Sequence, residues 1–195
     1  MVAGRSTGVL ADVWGRSVVR DVLLTLGGAG AVGLAAQIAI PVPGSPVPIT
    51  GQTFAVLLVG ATLGATRGAA SMLIYVLAGT LGVPWFAAGA SGWPAATAGY
   101  LIGFVLAAAL IGQLAALGAD RRPFHTIGLM AGGNALIYLV GVPWLAFATG
   151  TDLVAALDIG LVPYLIGDTL KTLLAAGLLP GAWLLIDRRA GTGRY

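Results

Sequence analysis

Residues 160–186 form an almost unbroken apolar run of 27 residues, mostly Leu, Ala, Ile and Gly, that nevertheless carries Asp168 and Lys171. At ~1.5 Å per residue the run is long enough to cross a bilayer core of ~30 Å, which places both charges inside the membrane. Residues three apart share a helix face, so the pair can partly neutralise itself and look into one cavity. Counted from Gly160, eight residues of helix put Asp168 roughly 12 Å below the outer boundary, with Lys171 about 4–5 Å deeper. Each charge costs roughly 2.5–3.5 kcal/mol at the centre of a spanning helix, so a purely structural need for both is hard to supply. The competing reading is a private ion pair that fixes how this helix packs. A binding site is the expectation.

The rest of the chain is of the same character. Of 195 residues 58% are hydrophobic and 9% charged, where soluble domains run to about 25% charged, so the composition places the chain in a membrane. The lack of Cys excludes disulfides, thiolate chemistry and cysteine metal sites. A net charge of +3 hints at an anionic partner, but the arginines are spread by topology rather than gathered into a patch, which argues against nucleic acid. The 31 glycines let helices approach closely, as in a polytopic bundle. No phosphate loop, metal-ligand cluster or nucleophile constellation is legible, and the single His125 reads as a solvated loop residue. The expectation is a protein that is not an enzyme, holds no cofactor or metal, and draws any energy for transport from elsewhere.

Apolar segments at 22–40, 51–65, 69–83, 98–117, 126–148 and 160–186 predict an all-α integral membrane protein, a compact bundle of six transmembrane helices. Residues 1–21 read as a cytoplasmic N-terminal segment, 22–186 as the membrane domain and 187–195 as a cytoplasmic tail. Arg67 and Gly68 are expected to mark the tight turn of a helical hairpin. Six crossings bring both termini to one side, and that side receives Arg5, Arg16, Arg20, Arg67, Arg121, Arg122, Arg188, Arg189 and Arg194. These are nine of the ten basic residues, so the positive-inside rule makes both termini cytoplasmic, in a multi-pass protein of a bacterial plasma membrane. The opposite side carries PVPGSPVPIT (41–50), whose four prolines cannot be helical throughout, and the uncharged PWFAAGASGWPAAT (84–97).

Above one acid and one base, aromatic and small side chains suit a small, partly apolar ligand with a few polar atoms. The candidates are Gln52, which offers an amide or caps the second helix; Phe86 in the second outward loop; and Tyr100 and Tyr164, as pocket walls or interfacial anchors. Asn134 either bonds between helices or reaches the ligand. Ala31, Ala35 and Ala39 make a small-residue stripe on the first helix, suited to internal packing or to docking of another membrane protein.

PVPITGQTFAVLLVGATLG (46–64), RGAASMLIYVLAGTLGVPWFA (67–87), GYLIGF (99–104), LIYLVGVPWLA (136–146) and GDTLKTLLAAGLLP (167–180) resemble the BioY family, the biotin-binding S components of energy-coupling factor transporters. The resemblance runs from Ala29 to Pro180. It implies a six-helix bundle that holds biotin on its outer side and delivers it inward with a transmembrane T component and two ATPase subunits, toppling within the membrane lipid. Carried over by position, Asp168 and Lys171 match the family's biotin-contacting acid and lysine. Ala31 and Ala35 match its AxxxA surface for the T component. The chain departs at AATAGY, where the family is glycine-rich, while keeping Gly99 and Tyr100. In the implied pose Asp168 accepts from a ureido N–H and Lys171 donates to the ureido oxygen, the carboxylate lying near the loops; the reverse pose pairs Lys171 with the carboxylate. A proton-coupled secondary transporter of a small organic anion is the alternative, with Asp168 titrating between bare and paired states. The small size and the lack of an inverted repeat stand against it.

Overall fold

The computed structural model describes residues 8–15 and 17–189; Arg5, Arg16 and Arg194 lie outside them. Among the described residues four helices are long and apolar enough to cross a membrane: α1 (Val18–Ala36), α4 (Ala98–Ala116), α5 (Pro123–Thr149) and the Leu153–Arg188 stretch, which is divided into α6 (Leu153–Gly160) and α7 (Leu165–Arg189). Between them stand α2 (Gln52–Leu63) and α3 (Ala65–Thr80). At 12 residues α2 spans about 18 Å, less than a bilayer core. Helix α4 is central: 61% of its apolar window is buried, against 22% for α1. Its Ile111 packs in a core with Met72, Tyr75, Met130, Ile137 and Leu145, all at most 1% exposed.

Several boundaries differ from the sequence reading, each for a local reason. The first helix starts one turn earlier than residue 22 and stops at Ala36, because the Gln37 side-chain amide bonds back to the Gly33 carbonyl (2.8 Å) and across to that of Trp85 (3.2 Å). Ala39 therefore leaves the helix of Ala31 and Ala35. It starts strand β1 (Ala39–Ile40), which pairs antiparallel with β2 (Ile49–Thr50), Ala39 opposite Thr50. The proline-rich loop is thus a hairpin closed at its base.

The turn between α2 and α3 lies at Gly64, not at Arg67 and Gly68. Gly64 has φ +86°, a left-handed conformation that side chains resist, while Arg67 and Gly68 sit within the first turn of α3. Absence of a side chain matters differently at Gly112 of α4, where a Cβ would lie 2.3 Å from the Ala65 amide nitrogen. That glycine lets the central helix touch the backbone at the start of α3.

Arg67 is also not a solvated loop charge. It is buried, pairing with Asp12 at 2.6 Å and Asp21 at 3.1 Å. Asp12 belongs to a 3-10 turn (Leu10–Trp14), and Val9, Leu10 and Ala11 are buried beside it. The Arg20 guanidinium donates to the Gly15 and Ala11 carbonyls, so the segment before α1 is strapped across the end of the bundle. At the same end Asp120, in the α4–α5 connection, is fully buried and accepts from the Trp183 indole at 2.7 Å, with the Arg121 guanidinium stacked on that ring at 4.3 Å. Burial pushes the Asp120 carboxyl up; the Trp183 bond and Arg121 oppose the shift.

Two outcomes follow. Gly112→Ala lowers unfolding stability in detergent by about 1–3 kcal/mol through overpacking, whereas Gly177→Ala, at a position open on its Cβ side, leaves it near the parent's. A carboxyl whose folded pKa is raised contributes stability at low pH and loses it as pH rises through that pKa. Asp120→Asn therefore raises the melting temperature at pH 7 to 8, and its advantage over the parent shrinks as pH falls toward 4, measured by thermal unfolding across that range.

Candidate ligand site

Three helices begin beside one cavity near the proline-rich hairpin. Gln52 and Thr53 come from the first turn of α2, Thr97 and Tyr100 from the start of α4, and Asp168 from the first turn of α7. The expected single helix from Gly160 is interrupted by a 3-10 turn (Val162–Tyr164) containing Pro163, so Asp168 lies one turn into its helix rather than eight residues down it. Its charge accordingly meets the positive end of the helix dipole, a more favourable setting for a carboxylate than mid-helix. Gly160 stands where the chain breaks: its carbonyl accepts the Tyr100 hydroxyl at 2.8 Å, and a Cβ there would lie 2.4 Å from that oxygen.

Asp168 is 5% exposed and bonded on both oxygens. Its Oδ1 accepts from Lys171 Nζ at 3.0 Å and from Thr53 Oγ1 at 3.1 Å, and the Thr53 oxygen in turn accepts from Lys171 at 2.9 Å. The three groups form a closed triangle. The other oxygen, Oδ2, accepts from the Tyr138 hydroxyl of α5. Tyr138 stands edge-on to Tyr100, with centroids 6.3 Å apart.

Above this polar floor the cavity holds ≈ 620 Å³ of atom-free space, counted to its open mouth, and is walled by Phe86, Leu101, Phe104, Tyr100 and Tyr164 with Val47 and Pro48 of the hairpin. Two tethers hold its cover. The Tyr164 hydroxyl donates to the Val47 carbonyl and lies 3.0 Å from the Ser45 hydroxyl. The Trp144 indole of α5 donates to Ala95 at 2.8 Å, fixing the 84–97 loop. Gln52 is buried with its amide on the Tyr75 hydroxyl (2.8 Å) and its oxygen on Thr50 (3.0 Å), so it braces the wall while lining it.

The structure brings Gln52, Phe86, Tyr100, Tyr164, Asp168 and Lys171 to one cavity. Asn134 is elsewhere: it faces a groove between α5 and α7 and a small void under Lys171, its side-chain oxygen enclosed without a hydrogen-bond partner. Ala31 is exposed on α1; Ala35 is half-buried, and its carbonyl accepts the Gly51 N–H at 3.2 Å. Sequence reasoning missed Thr53 and Tyr138. Thr53 adjoins Gln52, and Tyr138 was one more aromatic in an apolar helix; only the fold shows that both converge on Asp168. Among the described residues no cluster of His, Cys, Asp and Glu could hold a metal ion.

The family model described as BioY family matches residues 6–188. A biotin transporter BioY of Rhizobium etli is 32% identical over 141 residues, 67% of this chain and 75% of the relative. A biotin transporter BioY of Thermotoga maritima is 37% identical over 142 residues, covering 70% and 81%. A probable biotin transporter BioY of Pyrococcus horikoshii is 38% identical over 136 residues, covering 70% and 79%. Among solved structures, the S-component for biotin from an ECF-type ABC transporter has the same fold, with a TM-score of 0.74 and 22% identity over 92% of this chain and 96% of that one. With its long apolar helices, the chain is a multi-pass membrane protein.

The triangle of Asp168, Lys171 and Thr53 predicts non-additive energetics. Asp168→Asn and Lys171→Met each destabilise the fold by stranding a charge, and the double variant loses less than the sum, with a coupling of about 0.5–3 kcal/mol in a double-mutant unfolding cycle. Strict additivity would mean that the two groups do not interact.

Proposed function

Since this chain belongs to the BioY family, we propose that it is a high-affinity biotin-binding membrane subunit that takes the vitamin from outside the cell and delivers it inward with an energy-coupling module. The observation that carries the reading is what the charged triangle leaves unused. A carboxylate has about four acceptor positions and an ammonium three donors. Asp168 has three acceptor positions engaged by Lys171, Thr53 and Tyr138, and Lys171 has two donors engaged by Asp168 and Thr53. One acceptor position on Asp168 and one donor on Lys171 remain, the complement of a ureido carbonyl and its N–H.

The aromatic and aliphatic walls above suit the fused apolar rings of biotin, and the wet mouth at the hairpin suits its carboxylate. The opposite pose sets a ligand carboxylate against Asp168, 3.0 Å from the lysine it would need, and is disfavoured by repulsion.

Six crossings complete the reading, with α2 and α3 as short spans and both termini cytoplasmic, where the arginine-rich end lies. The partners are a transmembrane T component and two ATPase subunits. The exposed Ala31 and the adjacent Ala35 of α1 are the small-residue surface for docking the T component, in the bacterial plasma membrane.

Calorimetry of biotin with the purified, detergent-solubilised chain tests the site. The parent binds tightly, and Asp168→Asn and Lys171→Ala each lose more than ~2 kcal/mol, about thirtyfold in affinity, because a charged hydrogen bond is left half-made. Equal binding by folded variants would move the site into the loops. A folded parent that does not bind would remove biotin as the ligand. Uptake that requires co-expressed ATPases supports the coupling-module reading; uptake abolished by an uncoupler while ATP is maintained supports a secondary transporter.

A further inference from the structure

Helices α2 and α7 begin at the ligand cavity and run away from it, while α5 runs toward it, so Leu57, Thr172 and Asn134 each stand one turn deeper than Thr53, Asp168 and Tyr138. With Met130 these deeper residues line a void of ≈ 170 Å³ of atom-free space. Thr53 and Lys171 face both the cavity and the void, so their hydrogen bond is the partition between the two. The Asn134 Oδ1 is shut off from solvent and has no hydrogen-bond partner among the described residues. An enclosed acceptor without a donor is costly, and a donor that can move to it lowers the cost. Three side chains lining the void carry a donor. Thr53 spends its hydroxyl hydrogen on Asp168, and Thr172 sweeps a short arc about one stiff torsion. Lys171 has three donors on a flexible four-carbon stem, and two are engaged. The void is tighter than an ammonium as it stands, and Met130, the most adaptable side chain in its wall, is what yields when one enters.

We propose that the Lys171 ammonium has two seats, and that Asn134 is the positioning residue of the second. In the upper seat it bonds to Asp168 and Thr53 and faces the cavity. In the lower seat it keeps the Thr53 oxygen and exchanges Asp168 for Asn134 Oδ1, while Asp168 keeps the Thr53 and Tyr138 hydroxyls. With the lysine lowered, the cavity floor loses the donor that meets a ligand's acceptor. The lower seat therefore belongs to ligand entry and release, not to the bound state. A neutral amide suits that task, because it satisfies an ammonium in passing, whereas a carboxylate at the same place would hold it. The role in release rests on the biotin reading above; the two seats do not.

Lys171 is the only lysine of the chain, so lysine labelled with carbon-13 at Cε gives one protein signal to follow. In the full chain in detergent, without biotin, that signal is expected to show relaxation dispersion, and Asn134→Leu is expected to abolish it. A flat parent profile overturns the two seats. Thr172→Val is expected to match the parent; if it abolishes the dispersion and Asn134→Leu does not, the acceptor is wrongly assigned and the proposal falls. With biotin, Asn134→Leu slows association and dissociation at least fivefold each and leaves Kd within twofold of the parent's. Asn134→Asp, which holds the ammonium in the lower seat, weakens Kd at least tenfold. A purely structural asparagine would move both variants the same way, and loss of affinity in both overturns the role in release. Asn134→Met is the second apolar variant should Asn134→Leu misfold. If the parent binds no biotin, the biotin reading falls and the dispersion still decides the seats.

Discussion

A carboxylate buried in an apolar bundle has to be answered on every side, and the way Asp168 is answered dictates which elements meet around it. Its helix supplies the positive end of a dipole and, three residues on, an ammonium. Helix α2 supplies the Thr53 hydroxyl, and α5 supplies Tyr138. Were α7 an uninterrupted rod from Gly160, the carboxylate would lie more than two turns along it, away from the positive end of the dipole, and Lys171 three residues on would be its one assured partner. The break at Gly160 to Tyr164 brings the charge to a helix start. Tyr100 holds that break by donating to the Gly160 carbonyl. A structural requirement, neutralising one charge, and a functional one, presenting a polar floor, are met by the same contacts.

Much of this was legible in the residues, and what was not has a common cause. Asp168 and Lys171 stand out because charge in an apolar run is expensive wherever the run sits. Gln52, Phe86, Tyr100 and Tyr164 belong to loops and helix starts on one side, and the cavity collects them. Asn134 is polar too, yet it faces the α5–α7 groove, because helix rotation about its own axis is set by packing rather than by hydropathy. Tyr138, four residues on, gives no sign of its role in the sequence for the same reason. By sequence Arg67 reads as a turn residue because arginines in such chains cluster at connections. It is buried because Asp12, more than fifty residues away, comes back to it, a pairing no local pattern announces.

The two ends of the bundle are built on opposite principles. At the arginine-rich end, side chains pin one segment to another: Arg67 to Asp12 and Asp21, Asp120 to Trp183, and Arg20 to the carbonyls before α1. At the other end the proline-rich hairpin and the 84–97 loop are long, uncharged and held by a few hydroxyl and indole bonds to backbone. Breaking a buried ion pair exposes a charge, while a tyrosine or tryptophan can exchange its carbonyl for water at small cost. Local opening is therefore least expensive above the cavity, where a ligand has to enter.

The cavity itself arises from short helices. A bilayer core of ~30 Å leaves about 12 Å beyond a helix of 12 residues such as α2, and the backbone filling that height has to satisfy its own hydrogen bonds or face an aqueous space. Here it does both. The hairpin of β1 and β2 closes its own ladder at Ala39 and Thr50, and the prolines beyond carry no N–H to leave unpaired. What remains beneath is a chamber whose floor is made of helix beginnings, α2, α4 and α7, all presenting their positive ends. Such a chamber favours acceptor groups of a ligand over donors everywhere except at Asp168, and that exception orients a molecule carrying both.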